Sequence, residues 1–149
     1  MPVWSIPVRK SRVDVQLYTR NSPLTVSQIR SYLKKIQSLL PELKNFFITV
    51  AIVNDVKIKD INFRFTGRNN VTDVLSFLYS DFPPTIEVIV SSDQAISNAS
   101  KFKNTPAREL LTYIIHGLLH AVGYNDLNVR DRARMFRKQR EILRRIWNE

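Results

Sequence analysis

Two histidines, His116 and His120, are the only ones in the chain, and they lie four residues apart. On a helix, residues four apart face the same way with Cβ atoms roughly 5 to 6 Å apart, so both imidazoles can reach one metal ion. Asp126 follows six residues after the second histidine, where its carboxylate can supply a third ligand. The spacing predicts a metal centre, although such a pair also occurs among ordinary core histidines.

The segment that carries the histidines has helix signals at both ends. Thr105 suits the N-cap position, Pro106 the first helical position, and Gly123 the position just past the last turn. Both histidines then fall in the final two turns of the helix. Because the chain leaves the helix just beyond them, a residue of the exit loop can turn back over the histidine face, which makes Asp126 the candidate third ligand.

The composition is that of one ordinary globular domain, which we predict to span residues 1–149. Hydrophobic residues make up 44% of the chain and charged residues 24%, and both fractions are typical of globular proteins. There is no cysteine, so a thiolate metal site is excluded and an intracellular setting is favoured. The amino-terminal residues lack the apolar run of a signal peptide, and no stretch is typical of a membrane span. We expect a cytoplasmic protein with no membrane partner.

The charge is strongly positive, with 23 Lys and Arg residues against 13 Asp and Glu residues and a net charge of +10 at pH 7. This balance favours a polyanionic partner, and nucleic acid is the first candidate. Eight basic residues lie between Arg130 and Arg145, where we predict RNA contacts from Arg134, Arg137 and Lys138. A merely solvated face is the alternative.

The same basic stretch carries apolar residues at intervals of about seven, which predicts a helix with one buried stripe and a basic outer surface. The predicted stripe consists of Met135, Phe136, Ile142, Leu143, Ile146 and Trp147.

The rest of the chain alternates between strand and helix patterns. Strands are predicted at residues 13–18, 46–53, 72–79 and 86–91, with 46–53 as a central strand because it is β-branched and aromatic. Thr25 and Gln28 form a capping-box pattern before an amphipathic helix that Pro41 stops, and shorter helices are predicted at 56–65 and 92–101. The predicted fold is α+β: a four-stranded, mostly mixed sheet packed with about five helices, with the metal-bearing helix central.

Two motifs resemble those of the YbeY family of bacterial metallo-endoribonucleases. His116-Gly-Leu-Leu-His120 followed by Gly123-Tyr124 is similar to the family signature His-Gly-x-Leu-His-x-x-Gly-Tyr-Asp-His. The segment 62–77, which ends in Thr72-Asp-Val-Leu-Ser-Phe77, is similar to the family's Leu-Asn-x-x-Tyr-Arg-Gly-x-x-x-Pro-Thr-Asp-Val-Leu-Ser-Phe. Order and spacing also agree, and the resemblance extends over roughly residues 12 to 147.

The resemblance implies a single-strand-specific endoribonuclease with one zinc ion held by three histidines. It also implies a role in 3′-end maturation of small-subunit ribosomal RNA and in ribosome quality control, with ribosomal RNA and the small ribosomal subunit as partners. The oligomeric state is left open. His116 and His120 match two of the family's ligands, whereas Asp126 stands where the family has the third histidine and Asn125 where it has Asp.

A second departure from the family pattern concerns a cation. Thr66 stands where the family has Arg, and Val71 where it has Pro. Phosphoryl chemistry needs a cation near the developing charge, so we predict that Arg64 or Arg68 takes the catalytic role.

The aspartate in the third-ligand position has chemical consequences. Two histidines and a carboxylate remain an acceptable zinc set, but the carboxylate neutralises part of the metal charge, so bound water should be less acidic. We therefore expect a higher pH optimum than in three-histidine relatives, and iron or manganese becomes a more plausible occupant. Gly117 stands where zinc peptidases carry their general base, which argues against proteolysis. Glu109 is a candidate base by helical geometry alone; a role in complementing the helix dipole is favoured.

Two other functions stay open at this point. One is a ribosome-associated RNA-binding protein that keeps the fold and has lost the chemistry. The other is an iron oxygenase, which the positive charge and the two motifs disfavour. Four phenylalanines near the predicted cleft could stack on unpaired bases, but core packing is expected for most of them. They are Phe63, Phe65, Phe77 and Phe82.

Overall fold

Strand β2 (Phe47–Val53) lies inside a four-stranded mixed sheet, as its composition predicts. The computed structural model describes residues 12–80 and 83–147. The other strands are β1 (Val13–Leu17), β3 (Val74–Tyr79) and β4 (Thr85–Ser91), in the order β1-β2-β4-β3. β1, β2 and β4 are parallel, whereas β3 runs antiparallel to β4 at the edge. The register aligns Val15, Val50 and Val88 across the three parallel strands, which makes a β-branched layer on one face.

Five α-helices surround this sheet within the described residues, and a side chain caps the amino terminus of each. Thr25 and Gln28 form the predicted capping box. At the other four helices the cap side chain accepts the backbone N–H three residues further on; these caps are Asn54, Ser91, Thr105 and Asn128. A short 3-10 helix, Pro41–Asn45, follows the first helix. The helices are α1 (Val26–Leu39), α2 (Asp55–Thr66), α3 (Ser92–Lys101), α4 (Pro106–Ala121) and α5 (Val129–Ile146).

The two faces of the sheet are covered unequally. The main core lies on the face that α1 and α4 cover, with α5 packed against these two helices. Fully buried Ile52, Ile86 and Ile114 are among its members. On the opposite face, α2 covers only a small cluster around Val53 and Ile58. The α+β architecture with a central histidine-bearing helix is therefore confirmed.

Helix α4 packs very closely on the sheet at Gly117. A Cβ atom added to this glycine would lie 2.8 Å from Cγ1 of Val88 and 3.0 Å from Cγ2 of Val74, both too close. The Ser76 hydroxyl donates to the Gly117 carbonyl at 2.7 Å, which fixes strand β3 to the same turn of α4. Packing thus requires a glycine beside His116. For the same reason, no acidic side chain fits at position 117.

Two sequence expectations about packing are wrong: that Phe136 belongs to the buried stripe of α5, and that most of the four phenylalanines near the predicted cleft pack in the core. Phe136 is not part of the buried stripe of α5 but is 39% exposed, and Phe63 and Phe65 are 54% and 66% exposed. Periodicity assigns such residues to a helix face but does not show whether anything covers that face. Phe77 is half-buried in the α2 cluster, and Phe82 lies outside the described residues. None of the described helices has the length and hydrophobicity that a membrane crossing needs.

Candidate metal centre on the central helix

The two histidines lie together in the last turns of α4, as their spacing predicts. Their ring centroids are 4.7 Å apart and the rings meet edge to face at 81°. Both residues are half-buried. The helix ends directly afterwards, with Gly123 at φ 109°, a left-handed conformation that favours glycine.

A buried glutamine from α5 orients the first histidine. Nδ1 of His116 lies 2.8 Å from Oε1 of Gln139, whose side chain is 8% exposed. An N–H on Nδ1 donating to this oxygen leaves Nε2 without a proton, which is the form that binds a metal ion. Sequence reasoning missed Gln139, although a polar residue stood inside the apolar stripe, four residues after Met135 and three before Ile142.

His120 has an environment that favours its neutral form. Burial lowers its pKa, and the neighbouring His116 lowers the pKa further, whereas Asp126 and a hydrogen bond to the Tyr124 backbone oppose the shift. Since a metal ion competes with protons for the ring nitrogen, a neutral imidazole near pH 7 is suited to metal binding.

Asp126 lies in the exit loop, exposed, and close enough to interact electrostatically with His120. Across residues 12–80 and 83–147, however, no three His, Asp or Glu side chains are arranged to hold a metal ion. Two imidazoles and a nearby carboxylate fit a divalent transition metal by donor chemistry. The structure brings together two of the three predicted ligands, and Asp126 as third ligand stays a prediction.

The contacts of the two predicted catalytic arginines are with residues other than the histidines. Arg64 pairs with Asp60 on the exposed side of α2 (3.3 Å, Nε to Oδ2), and Arg68 follows the left-handed Gly67. In the described part of the chain, neither forms a hydrogen bond or ion pair with His116 or His120.

Thr66, at the position of the family's arginine, belongs to a small polar network. Its hydroxyl lies 2.7 Å from the carbonyl and 2.9 Å from Oδ1 of Asn62, whose buried amide donates to the Asn70 carbonyl at 3.1 Å. These bonds stabilise the end of α2 and the loop that follows it, so Thr66 has a structural role here.

The three predicted RNA-contacting residues have different surroundings on α5. The Arg134 guanidinium lies 4.8 Å from the Tyr124 ring centroid, next to the exit loop. Arg137 lines an exposed groove of about 390 Å³ with Phe136, and the Phe136 ring lies 6.2 Å from that of His116. Lys138 pairs with Glu141 at 3.7 Å, which neutralises part of its charge. Arg134 thus lies beside the exit loop, and Arg137 shares a groove with Phe136, whose ring lies beside His116.

The contacts of Glu109 indicate a structural role. Its Oε1 accepts from Nδ2 of Asn104 at 2.9 Å, and its charge contributes to raising the pKa of Tyr113, although burial is the largest cause of that shift. Glu109 lies in the first turn of α4, while the histidines lie in the last two. The helix-dipole role favoured from sequence is consistent with this position.

Fold and site together define a small α+β enzyme domain with an open histidine pair beside a basic helix. The chain matches the family profile described as Endoribonuclease YbeY over residues 14–147. It is 31% identical to an endoribonuclease YbeY from Thermodesulfovibrio yellowstonii, over 89% of this chain and 96% of the relative. It is 34% identical to one from Thermotoga petrophila, over 72% and 73% of the two chains.

A solved structure supports the same assignment. The solution structure of a Thermotoga maritima protein superposes with a TM-score of 0.66 at 27% identity, covering 91% of this chain and 89% of that one. This chain belongs to the endoribonuclease YbeY family, and its enzyme class is that of the nucleases.

Proposed function

We propose that this protein is a metal-dependent endoribonuclease that cleaves single-stranded ribosomal RNA in the cytoplasm. The proposed role is 3′-end maturation of small-subunit ribosomal RNA and ribosome quality control, with the small subunit as partner. The observation that carries the proposal is the histidine pair on α4, with Gln139 orienting His116. Asp126 is close enough to His120 to influence its pKa electrostatically. Family membership supports RNA as the substrate.

Each residue has a proposed part in the reaction. His116, His120 and Asp126 would hold the ion, with zinc as the first candidate and iron or manganese as alternatives. A bound divalent ion would supply Lewis-acid activation of water and of a phosphodiester oxygen. Arg134 and Arg137 attract and position the phosphates of the strand, which contributes affinity without reading sequence. Arg68 is the better candidate than Arg64 for a cation near the reacting phosphate, because Asp60 pairs with Arg64.

Metal content and cleavage of a labelled single-stranded RNA, measured on the same preparation, test this proposal. We expect stoichiometric metal in the wild type, and loss of cleavage on chelation or in His116→Ala, with salt-sensitive RNA binding retained. Glu109→Gln, on the same helix but away from the histidines, is the control and should keep cleavage. Cleavage that survives both chelation and His116→Ala would contradict the proposal.

A second candidate function is RNA binding without cleavage. It is favoured by Thr66, which stands in place of the family's arginine and is engaged in the Asn62 network. In that case the purified protein should bind RNA, carry no stoichiometric metal and cleave nothing.

A further inference from the structure

A basic pocket lies at the opposite end of α4 from the histidines. It has a volume of about 610 Å³, within the usual range of ligand sites, and forms where the α3–α4 connection meets the end of α5. Arg108, in its wall, precedes His116 by eight residues, or about 12 Å along the helix. Its lining includes four cations with an amide and an indole: Lys103, Arg108, Arg140, Arg144, Asn104 and Trp147.

The charges of this pocket are not neutralised by carboxylates in the described part of the chain. No acidic residue lines it, and none of its four cations belongs to an ion pair there. Nη1 of Arg108 donates to the neutral Oδ1 of Asn104 at 3.4 Å, and the Glu109 carboxylate accepts from Nδ2 of the same asparagine. Four like charges around one pocket repel each other, and an anion in the pocket would relieve that repulsion.

One face of α5 connects this pocket with the histidine pair. Arg140 lines both this pocket and the groove that contains Phe136 and Arg137. Phe136, Arg140 and Arg144 are four residues apart and so lie on one side of the helix. Since Phe136 lies beside His116, the two cavities form a continuous basic track from the histidines to the far end of α4.

We propose that this pocket binds the phosphates of an RNA strand several nucleotides away from the bond that lies at the histidine pair. The proposal rests on the proposed function for its ligand, single-stranded RNA, and it extends the contact surface beyond the residues near the exit loop. The four cations hold the strand by its phosphates, so they contribute affinity and direction without selecting a base sequence.

The experiment is RNA binding by fluorescence anisotropy over a range of salt concentrations, with a chelator present so that the strand stays intact. The test variant is Lys103→Gln with Arg144→Gln, two exposed pocket residues. The control is Lys101→Gln with Arg145→Gln, which removes the same charges from two exposed neighbours that do not line the pocket. One strand of about 16 nucleotides and one of about 4 span the usual range of single-strand site sizes.

With the long strand, the test variant should reduce the slope of log K against log salt by about 1.4, or about 0.7 for each lost phosphate contact. The control should change it by less than half as much, and binding of the short strand should depend little on either pair. Equal effects of the two pairs would overturn the proposal, because they would indicate diffuse attraction only. An equal loss with the short strand would overturn the extended track in favour of an isolated nucleotide site.

The readout is independent of cleavage, so the two proposals fail separately. Pocket-dependent binding by a chain that cleaves no RNA would count against the nuclease and support the pocket. RNA cleavage, together with equal RNA binding by the two variant pairs, would support the nuclease and count against the pocket.

Discussion

At the residue scale, the contact between His116 and Gln139 determines how the His116 ring is oriented in the candidate metal centre. A ligating histidine is oriented by whatever its second nitrogen binds, and such partners commonly change metal affinity when they are removed. Here the partner is a buried neutral amide from α5, so the orientation of a ligand on α4 depends on the packing between two helices.

Gln139→Leu keeps most of the side-chain volume and removes the acceptor. We expect metal affinity to fall by about 10- to 100-fold, measured by competition with a chromogenic chelator. Gln139→Glu restores an acceptor and should retain the affinity. If the leucine variant binds metal as tightly as the wild type while melting normally, Gln139 has no orienting role.

Asp126 is tested by converting it to the family's residue. In Asp126→His the ion would keep its full charge, so the pH optimum of RNA cleavage should move down relative to the wild type. The rate–pH profile of both proteins measures this shift. Asp60→Asn removes an exposed carboxylate from α2 and is the matched control. An optimum that does not fall would exclude Asp126 as a ligand.

The lowered pKa of His120 makes a prediction for stability without metal. Well above about pH 6.5, the His120 ring is neutral in both the folded and the unfolded chain, so it adds no pH dependence to the free energy of unfolding. As pH falls below that value, the unfolded chain takes up the proton before the folded chain does, so the free energy of unfolding decreases. Urea denaturation at pH 7 and pH 5 should therefore show a smaller acid-induced loss in His120→Asn than in the wild type. Equal losses would contradict the shift.

At the element scale, the contact of α4 with the sheet at Gly117 sets the position of both histidines. The contact is so close because Val74 and Val88 lie directly under the helix backbone. The helix can approach the strands only where it carries no side chain. The two histidines lie one residue before and three residues after this glycine, and His116 contacts Gln139 of α5.

Gly117→Ala should destabilise the protein by about 1 to 3 kcal/mol, because the added methyl has no room. Chemical denaturation measures the loss. Val88→Ala in the same chain removes the methyl groups that the new Cβ would meet at 2.8 Å. The double variant should be more stable than the sum of the two single losses predicts. Simple additivity would show that the loss in Gly117→Ala does not come from contact with the Val88 methyl groups.

The elements themselves were largely predictable, and their surroundings were not. Local signals such as Thr25, Thr105 and Gly123 mark helix ends because caps and left-handed turns need particular side chains. The exposure of Phe65 and Phe136 was missed, since it depends on which distant elements cover a face. The histidine pair followed from spacing, whereas its partner Gln139 required knowing how α5 lies against α4.

At the scale of the whole molecule, the proposed metal binding would be linked to folding. An ion that binds only the folded chain stabilises it by about 2.7 kcal/mol when its free concentration is a hundred times the Kd. For a chain of this size, that corresponds to a rise in Tm of roughly 5 to 10 °C. Thermal melts with and without zinc should show this rise in the wild type and not in His116→Ala. An equal rise in both would indicate binding elsewhere.

The candidate ligands, the loop between them and the orienting glutamine all belong to one continuous stretch, from the end of α4 to the middle of α5. The strands support this stretch but contribute no candidate ligand. A change of side chain at a candidate ligand position such as Asp126 would therefore need no rearrangement of the sheet. The fold and the metal preference of this chain can diverge from those of its relatives at independent rates.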